Sequence, residues 1–472
     1  MDMIRAQVDF SRKLQDWDGF GVNYVETCQT FDYAANPQDY GGFSTLAEDK
    51  RREILDLIFG ESGLKPGIVK MFLDPFHQDE KHLNEPGPEN IDQSNYSHTA
   101  TTKWLRYFAR EGLARTRSRG GELSIITTMY GPPGWMTKQR IMRGRDLEPA
   151  YKMECAKYMV SWAKYLKEKE GLPVKYISLH NEGEDWMRWP EDGGASWEGH
   201  DYNMFWPPEQ VVEFLKLVRR VLDSHGMQDV GVTPGETTCW YRFLEWGYAY
   251  AVADDPEAVR DLGLLTSHGF VNYAGRRWFE DTRSQAMDLL REKKPALHGW
   301  VTSTSWYNMD AWAANIYRQM IYAEKLNAVI PWACIQWSEK WSKGDPNPGT
   351  AFRIDGKGGY KIEPGYYLYK QLCRAGQPGT AVCRVLANDS EAVFLGFAAN
   401  GTRNPDAFIL INMSEKENKK MRIEIKGSSS RKFAAYRTSP GEQYTELGVF
   451  EAKDGDFEYD APVGSVTTFF GK

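Results

Sequence analysis

Eight short apolar runs alternate with longer amphipathic segments between about residues 18 and 345, and a series of short strand-like runs separated by polar turns follows after Pro378. This texture predicts an α/β fold, a (β/α)8 TIM barrel with a C-terminal antiparallel β-sandwich. The length agrees, because 472 residues accommodate one barrel of about 250 residues or more plus one smaller domain. The expected division is a barrel over 16–375 and a sandwich over 376–472.

The strand candidates are Gly19–Tyr24, Ile68–Leu73, Leu123–Met129, Val174–Leu179, Val230–Thr233, Leu262–Ser267, Ala296–Thr302 and Ala328–Ile335. Helical spacing fills the gaps. Met153, Ala156, Met159, Ala163 and Leu166 share one face, as do Val211, Phe214, Leu215, Val218 and Leu222, the second run being closed by Gly226 as a C-cap. A doubly wound sheet would alternate in the same way, but no GxGxxG follows any strand and no Walker loop is present. In the C-terminal part, Glu391–Phe397, Ala407–Met413, Met421–Lys426, Arg431–Tyr436, Phe457–Asp460 and Gly464–Phe470 read as strands. Turns such as Asn400-Gly401 and Asp454-Gly455 separate them.

Composition excludes several classes. Apolar residues make up 41% and charged residues 26%, which rules out disordered, collagen-like and coiled-coil chains. A formal charge of −7 offers no basic excess for a nucleic-acid partner. No stretch of about 18 apolar residues exists to span a membrane. The first residues, Met1-Asp2-Met3-Ile4-Arg5, lack an apolar leader core, and the six scattered cysteines suit reduced thiols. A cytoplasmic location is the simplest expectation, and a leader already removed would leave the same sequence. Eight histidines without an HExxH pattern predict no metal, and nothing calls for a cofactor. The unusual figure is 14% aromatic residues, with 17 Trp, enough to line a cleft with flat stacking faces or to fill a large core.

In a barrel of this kind the active site is built past the C-terminal ends of the strands. Strand four ends in Ser178-Leu179-His180-Asn181-Glu182, strand three in Met129-Tyr130 and then Trp135, strand two in Asp74-Pro75-Phe76-His77, and strand six in Ser267-His268. Ser303 and Trp306 follow strand seven, and Trp337 follows strand eight. A Glu after an apolar strand is suited to act as a general acid once partial burial raises its proton affinity, which singles out Glu182. Asn181 is placed to bond a sugar hydroxyl. Trp135, Trp306 and Trp337 are candidate platforms for the C–H faces of a sugar, and His180, His268, Tyr130 and Asp74 are candidate substrate contacts. Glu26, Glu184, Asp185, Glu236 and Glu339 are further strand-end carboxylates. The segment Trp186–Trp206 carries four Trp, which suggests a subsite wall.

These residues carry a family resemblance that spans nearly the whole chain. Trp17-Asp18-Gly19-Phe20-Gly21, Pro132-Pro133-Gly134-Trp135-Met136, His180-Asn181-Glu182, Trp300-Val301-Thr302, Gly365-Tyr366-Tyr367 through Arg374 to Gln377-Pro378-Gly379, and Pro462 to Phe469 occur in the order seen in clan A glycoside hydrolases. The chain most resembles glycoside hydrolase family 30 and its relatives. The resemblance implies a retaining β-glycosidase, a carbohydrate substrate, Glu182 as acid/base, and a sandwich completed by a strand from the first 15 residues. It also implies a nucleophilic Glu after strand seven, about 5 Å from the acid. In the pattern Trp-x-Thr-Glu that nucleophile falls on Ser303.

Ser303 is the most consequential departure. A hydroxyl cannot carry the negative charge a carboxylate brings to an oxocarbenium-like transition state, and no base is evident to activate it. No Glu or Asp lies between Lys294 and Asp310 to replace it by a local shift. Three explanations stay open: replacement of a nucleophilic Glu by Ser, as made to trap substrate or form glycosidic bonds; use of another carboxylate or of inversion; or a carbohydrate-binding protein on a barrel scaffold.

Overall fold

Eight parallel strands close the barrel: Gly19–Asn23, Ile68–Leu73, Ser124–Met129, Val174–Ser178, Gly231–Thr233, Leu265–Ser267, Gly299–Ser305 and Ala328–Trp332. All eight lie within or across the expected runs. The computed structural model describes residues 3–25, 41–196, 201–270, 284–306, 310–337 and 349–472. The strands pair in the order five-four-three-two-one-eight-seven-six. Parallel bridges Val232–Leu262 and Thr237–Ser267 join strand five to the sixth and complete the ring.

The helices follow from their sequence spacing. Pro208–Ser224 carries proline in its first turn, buries Val211, Phe214, Leu215, Val218 and Leu222, and is followed by Gly226 at φ +69°. Lys152–Glu168 buries Cys155, Ala156, Met159, Ala163 and Leu166 on the strands beneath.

Residue parity along each strand divides the barrel into layers. On strand two, Val69, Met71 and Leu73 face the core beneath the helices, while Ile68, Lys70 and Phe72 alternate with them. Ile68 joins Ile126, Trp300, Ala328 and Ile330 in an apolar floor. Phe72 joins Tyr130, Tyr202 and Trp332 in an aromatic layer four positions further along the strand than Ile68. Lys70 lies between these layers, so the polar centre of the barrel has apolar material on both sides.

The second domain is a nine-stranded, mostly antiparallel sheet with its own phenylalanine-rich core, including Phe394, Phe408, Phe433, Phe457 and Phe469. Its strands include Ala381–Ala387 and Glu442–Glu451, which the sequence reading did not mark. The strand Ile4–Asp16 lies inside this sheet, antiparallel to Ala381–Ala387 and parallel to Lys419–Lys426. Among the described residues, no helix is long and apolar enough to cross a membrane, and no cluster of His, Cys, Asp or Glu is arranged to hold a metal ion.

Candidate active site

Strands four, five and six continue their backbone pairing past their formal ends, which brings three titratable side chains together. The amide of Glu236 donates to the carbonyl of His180 at 2.9 Å, that of Glu182 to the carbonyl of Glu236 at 2.7 Å, and that of His268 to the carbonyl of Thr237 at 2.8 Å. Glu182 adopts φ +42°, a left-handed conformation that few residues other than glycine hold without tertiary support.

His268 links the two carboxylates, with Nδ1 2.8 Å from Glu182 Oε1 and Nε2 3.1 Å from Glu236 Oε2. Burial opposes a charge on the imidazole, but hydrogen bonds to Glu182 and Glu236 outweigh it and push the His268 pKa up. The second oxygen of Glu182 accepts from Arg188 Nη1 at 3.0 Å. Arg188 belongs to the short helix Trp186–Arg188, which Asp185 caps by accepting from the amide of Met187.

Glu236 is completely buried. Its Oε1 accepts from Thr128 Oγ1 at 2.6 Å, and its Oε2 is ion-paired with Lys70. Burial alone would raise its pKa, yet the Lys70 ammonium and the His268 hydrogen bond reverse the sign and bring it down to about 2. Lys70 is also fully buried, and burial pulls its pKa down against the attraction of Glu236. Its ammonium donates at 2.8 Å to both the carbonyl of Thr302 and Ser303 Oγ. Lys70 therefore ties strands two, five and seven together at position 303. Asn181 donates to Asp201 Oδ2 at 3.0 Å and Asn203 Oδ1 at 3.2 Å.

The remaining expected residues are placed as follows. Tyr130 is buried in the aromatic layer, stacked on Phe72 with ring centres 4.7 Å apart. Trp135 is half-buried, with its ring edge against Tyr151 and Nε1 donating to the carbonyl of Gln78 at 3.2 Å. Trp337 is half-buried against the main core. Two expectations need correction. Trp306 is not an exposed platform: it is 1% exposed and packs on Tyr369 of the helix Pro364–Ala375 at 4.9 Å. His180 does not join the carboxylate network. Its buried ring stacks on Trp206 at 5.5 Å, and burial drives its pKa down to about 3, so it is neutral. Asp74 is buried and accepts from Thr101 Oγ1 at 2.6 Å and from the Phe76 amide at 3.0 Å, fixing the turn after strand two. In the loop after strand four, Trp186 is exposed while Trp189 and Trp206 are buried, so this segment contributes to core as well as surface. Glu26, Trp197 and Glu339 lie outside the described residues.

Lys70, Arg188 and Asp201 were not anticipated. Lys70 carried a signal, being the single charge in the otherwise apolar run Ile-Val-Lys-Met-Phe-Leu. Arg188 and Asp201 come from a loop whose path the sequence does not define.

No protein-family model and no curated protein matches the sequence. Solved structures match along the whole chain. A family 30 endoxylanase from Clostridium papyrosolvens is 16% identical with a TM-score of 0.67, the match covering 99% of this chain and 100% of that one. The catalytic domain of the family 30 xylanase C from Talaromyces cellulolyticus is 15% identical with a TM-score of 0.70, covering 99% and 100%. The endo-β1,6-glucanase BT3312 is 16% identical with a TM-score of 0.68, covering 100% and 96%. Over its full length, the chain has the barrel-and-sandwich fold seen in glycoside hydrolases of family 30.

Proposed function

We propose that this barrel mouth acts on β-linked glycosides, with Glu182 transferring the proton to and from the glycosidic oxygen and position 303 facing the reacting carbon. The observation that carries the reading is the joining of Glu182 and Ser303, from strands four and seven, through His268, Glu236 and Lys70. Ser303 is a poor attacking group. Lys70 donates to its oxygen, and both oxygens of Glu236 are already engaged. A covalent glycosyl intermediate therefore lacks its carboxylate, and hydrolysis by the chain as it stands is slow. Removal of such a group typically costs several powers of ten in rate.

The test is turnover of a panel of aryl β-glycosides by the chain and by Ser303→Glu, with azide added to the former as a substitute nucleophile. The reading expects Ser303→Glu to raise turnover by orders of magnitude and azide to yield a glycosyl azide of inverted configuration. High turnover by the unmodified chain, unchanged in Ser303→Glu, would favour inversion or another nucleophile.

One observation favours a second reading, a carbohydrate-binding protein without turnover. Lys70 already has a carboxylate partner in Glu236, so no buried cation at position 303 is left uncompensated. Inactivity of both chains combined with tight sugar binding is its signature.

A further inference from the structure

On the side of the barrel away from Glu182, where strands two and three begin, a cavity of about 810 Å³ lies between barrel and sandwich. Its walls bring together Lys65, Arg119 and Arg374 from the barrel and Arg403 from the sandwich. Lys370, one helical turn before Arg374 on the helix Pro364–Ala375, stands behind the wall with its ammonium over the Tyr366 and Tyr444 rings. Among the described residues, Arg119, Arg374, Arg403 and Lys370 make no ion pair, whereas Lys65 is paired with the exposed Glu61.

Their hydrogen bonds go to backbone carbonyls instead. Arg374 Nη1 donates to Glu61 O at 2.9 Å and Gly63 O at 3.1 Å. Arg119 Nε donates to Phe59 O at 3.1 Å, and Arg403 Nη2 donates to Arg119 O at 2.9 Å. Carbonyls fix the direction of these guanidinium groups without neutralising them. The cations also disfavour one another: burial, then Arg374 and Lys65, bring the Lys370 pKa down to about 8. Among the described residues, Glu61 and Glu122 are the only Asp or Glu side chains on the cavity wall. A cluster of like charges held in this way loses repulsion when an anion enters.

Size and lining narrow the class of anion. A pocket of about 300–1,000 Å³ takes a ligand of several rings rather than a single ion. The half-buried rings of Tyr436 and Phe470 border the cavity, their centres 6.0 Å apart, and offer apolar surface to sugar faces.

We infer that the groove between barrel and sandwich is a second carbohydrate site, one that binds an oligosaccharide segment bearing carboxylate or sulfate groups through Lys65, Arg119, Arg374 and Arg403. Guanidinium groups suit such oxyanions because their fork matches two oxygens at once. The site does not require turnover at the barrel mouth.

Affinity electrophoresis of the full chain tests this, using gels containing polygalacturonate, dextran sulfate or a neutral β-glucan. The test pair is the wild type and the double variant Arg403→Gln/Lys65→Gln, with thermal midpoints confirming that both are folded. The expected result is retardation by at least one acidic polymer, none by the neutral one, and at least tenfold weaker binding in the double variant. Retention should fall as salt rises, because the attraction is screened. Aryl-glycoside turnover, whatever its value in the wild type, should be unchanged in the double variant, which separates failure here from failure of the proposed function. Equal retardation of wild type and variant, equal retardation by the neutral polymer, no retardation by either acidic polymer, or full displacement by 10 mM inorganic sulfate would each overturn the inference. Should the double variant be unfolded, Arg403→Gln alone, altering an exposed side chain, carries the same comparison with a smaller expected loss.

Discussion

Glu236→Gln is the most direct probe of the buried charge network. The substitution preserves side-chain volume and leaves one carbonyl oxygen for Lys70 or His268, but removes the negative charge that compensates Lys70. In the fold the Glu236 carboxyl titrates at about 2, against an ordinary value of 4.5. At about 1.4 kcal/mol per tenfold change in proton affinity, that difference links to about 3 kcal/mol of stability. Loss of one partner from a buried ion pair independently costs about 3–5 kcal/mol. The sign follows from a depressed folded pKa: the stabilisation is complete above the unfolded value and is lost as pH falls toward the folded one. The gap between wild type and variant should therefore be about 3 kcal/mol at pH 7 and about 2 kcal/mol at pH 3.5. Guanidinium denaturation followed by Trp fluorescence at both pH values measures it. Equal denaturation midpoints at pH 7, or a gap that widens on acidification, would refute the assignment of Glu236 as an ionised partner of Lys70.

Other expectations concern individual residues around the mouth. Trp306→Ala should lower stability by about 3–5 kcal/mol, the usual cost of emptying a core aromatic site, and leave KM for aryl glycosides unaltered in those variants that stay folded. Trp135→Ala should raise KM about fivefold, the scale of one lost ring contact, as read from initial rates on Ser303→Glu. His268→Gln removes a group whose pKa is raised by Glu182 and Glu236 despite burial. Its contribution is full below the unfolded value of about 6.5 and fades as pH rises through the folded value, so the drop in thermal midpoint should be larger at pH 5.5 than at pH 8.5. Gly235→Ala places a Cβ 2.1 Å from the His180 ring at a backbone φ of +95°. It should cost at least about 2 kcal/mol in denaturant titration, from backbone strain and overpacking together.

The barrel strands were legible because each is a short apolar run bounded by turns and followed by a segment of helical spacing. The strand Glu442–Glu451 escaped because it lies at the sheet edge, where consecutive exposed residues such as Thr445 and Glu446 blur the period-two pattern. Glu182, Glu236 and His268 could be nominated from their strand-end positions. The pairing of Glu236 with Lys70, a residue 166 positions earlier, could not, since it depends on closure of the ring. Trp306 was misjudged for the same reason: its cover, Tyr369, arrives from a helix 63 residues later.

The strand Ile4–Asp16 has a consequence for how the molecule is made. It is synthesised well before both of its neighbours, Ala381–Ala387 and Lys419–Lys426, which lie more than 360 positions further along the chain. At about 5–20 residues per second, the first strand waits on the order of a minute at the slow end of that range before a partner exists. During that interval its apolar side chains, Ile4, Val8 and Phe10, have no sheet to join. Cleavage of the chain at residue 375 would not yield two independent halves, because the sandwich would lose an interior strand to the barrel fragment. Barrel and sandwich are thus bound together by a strand made hundreds of residues before the sheet that receives it.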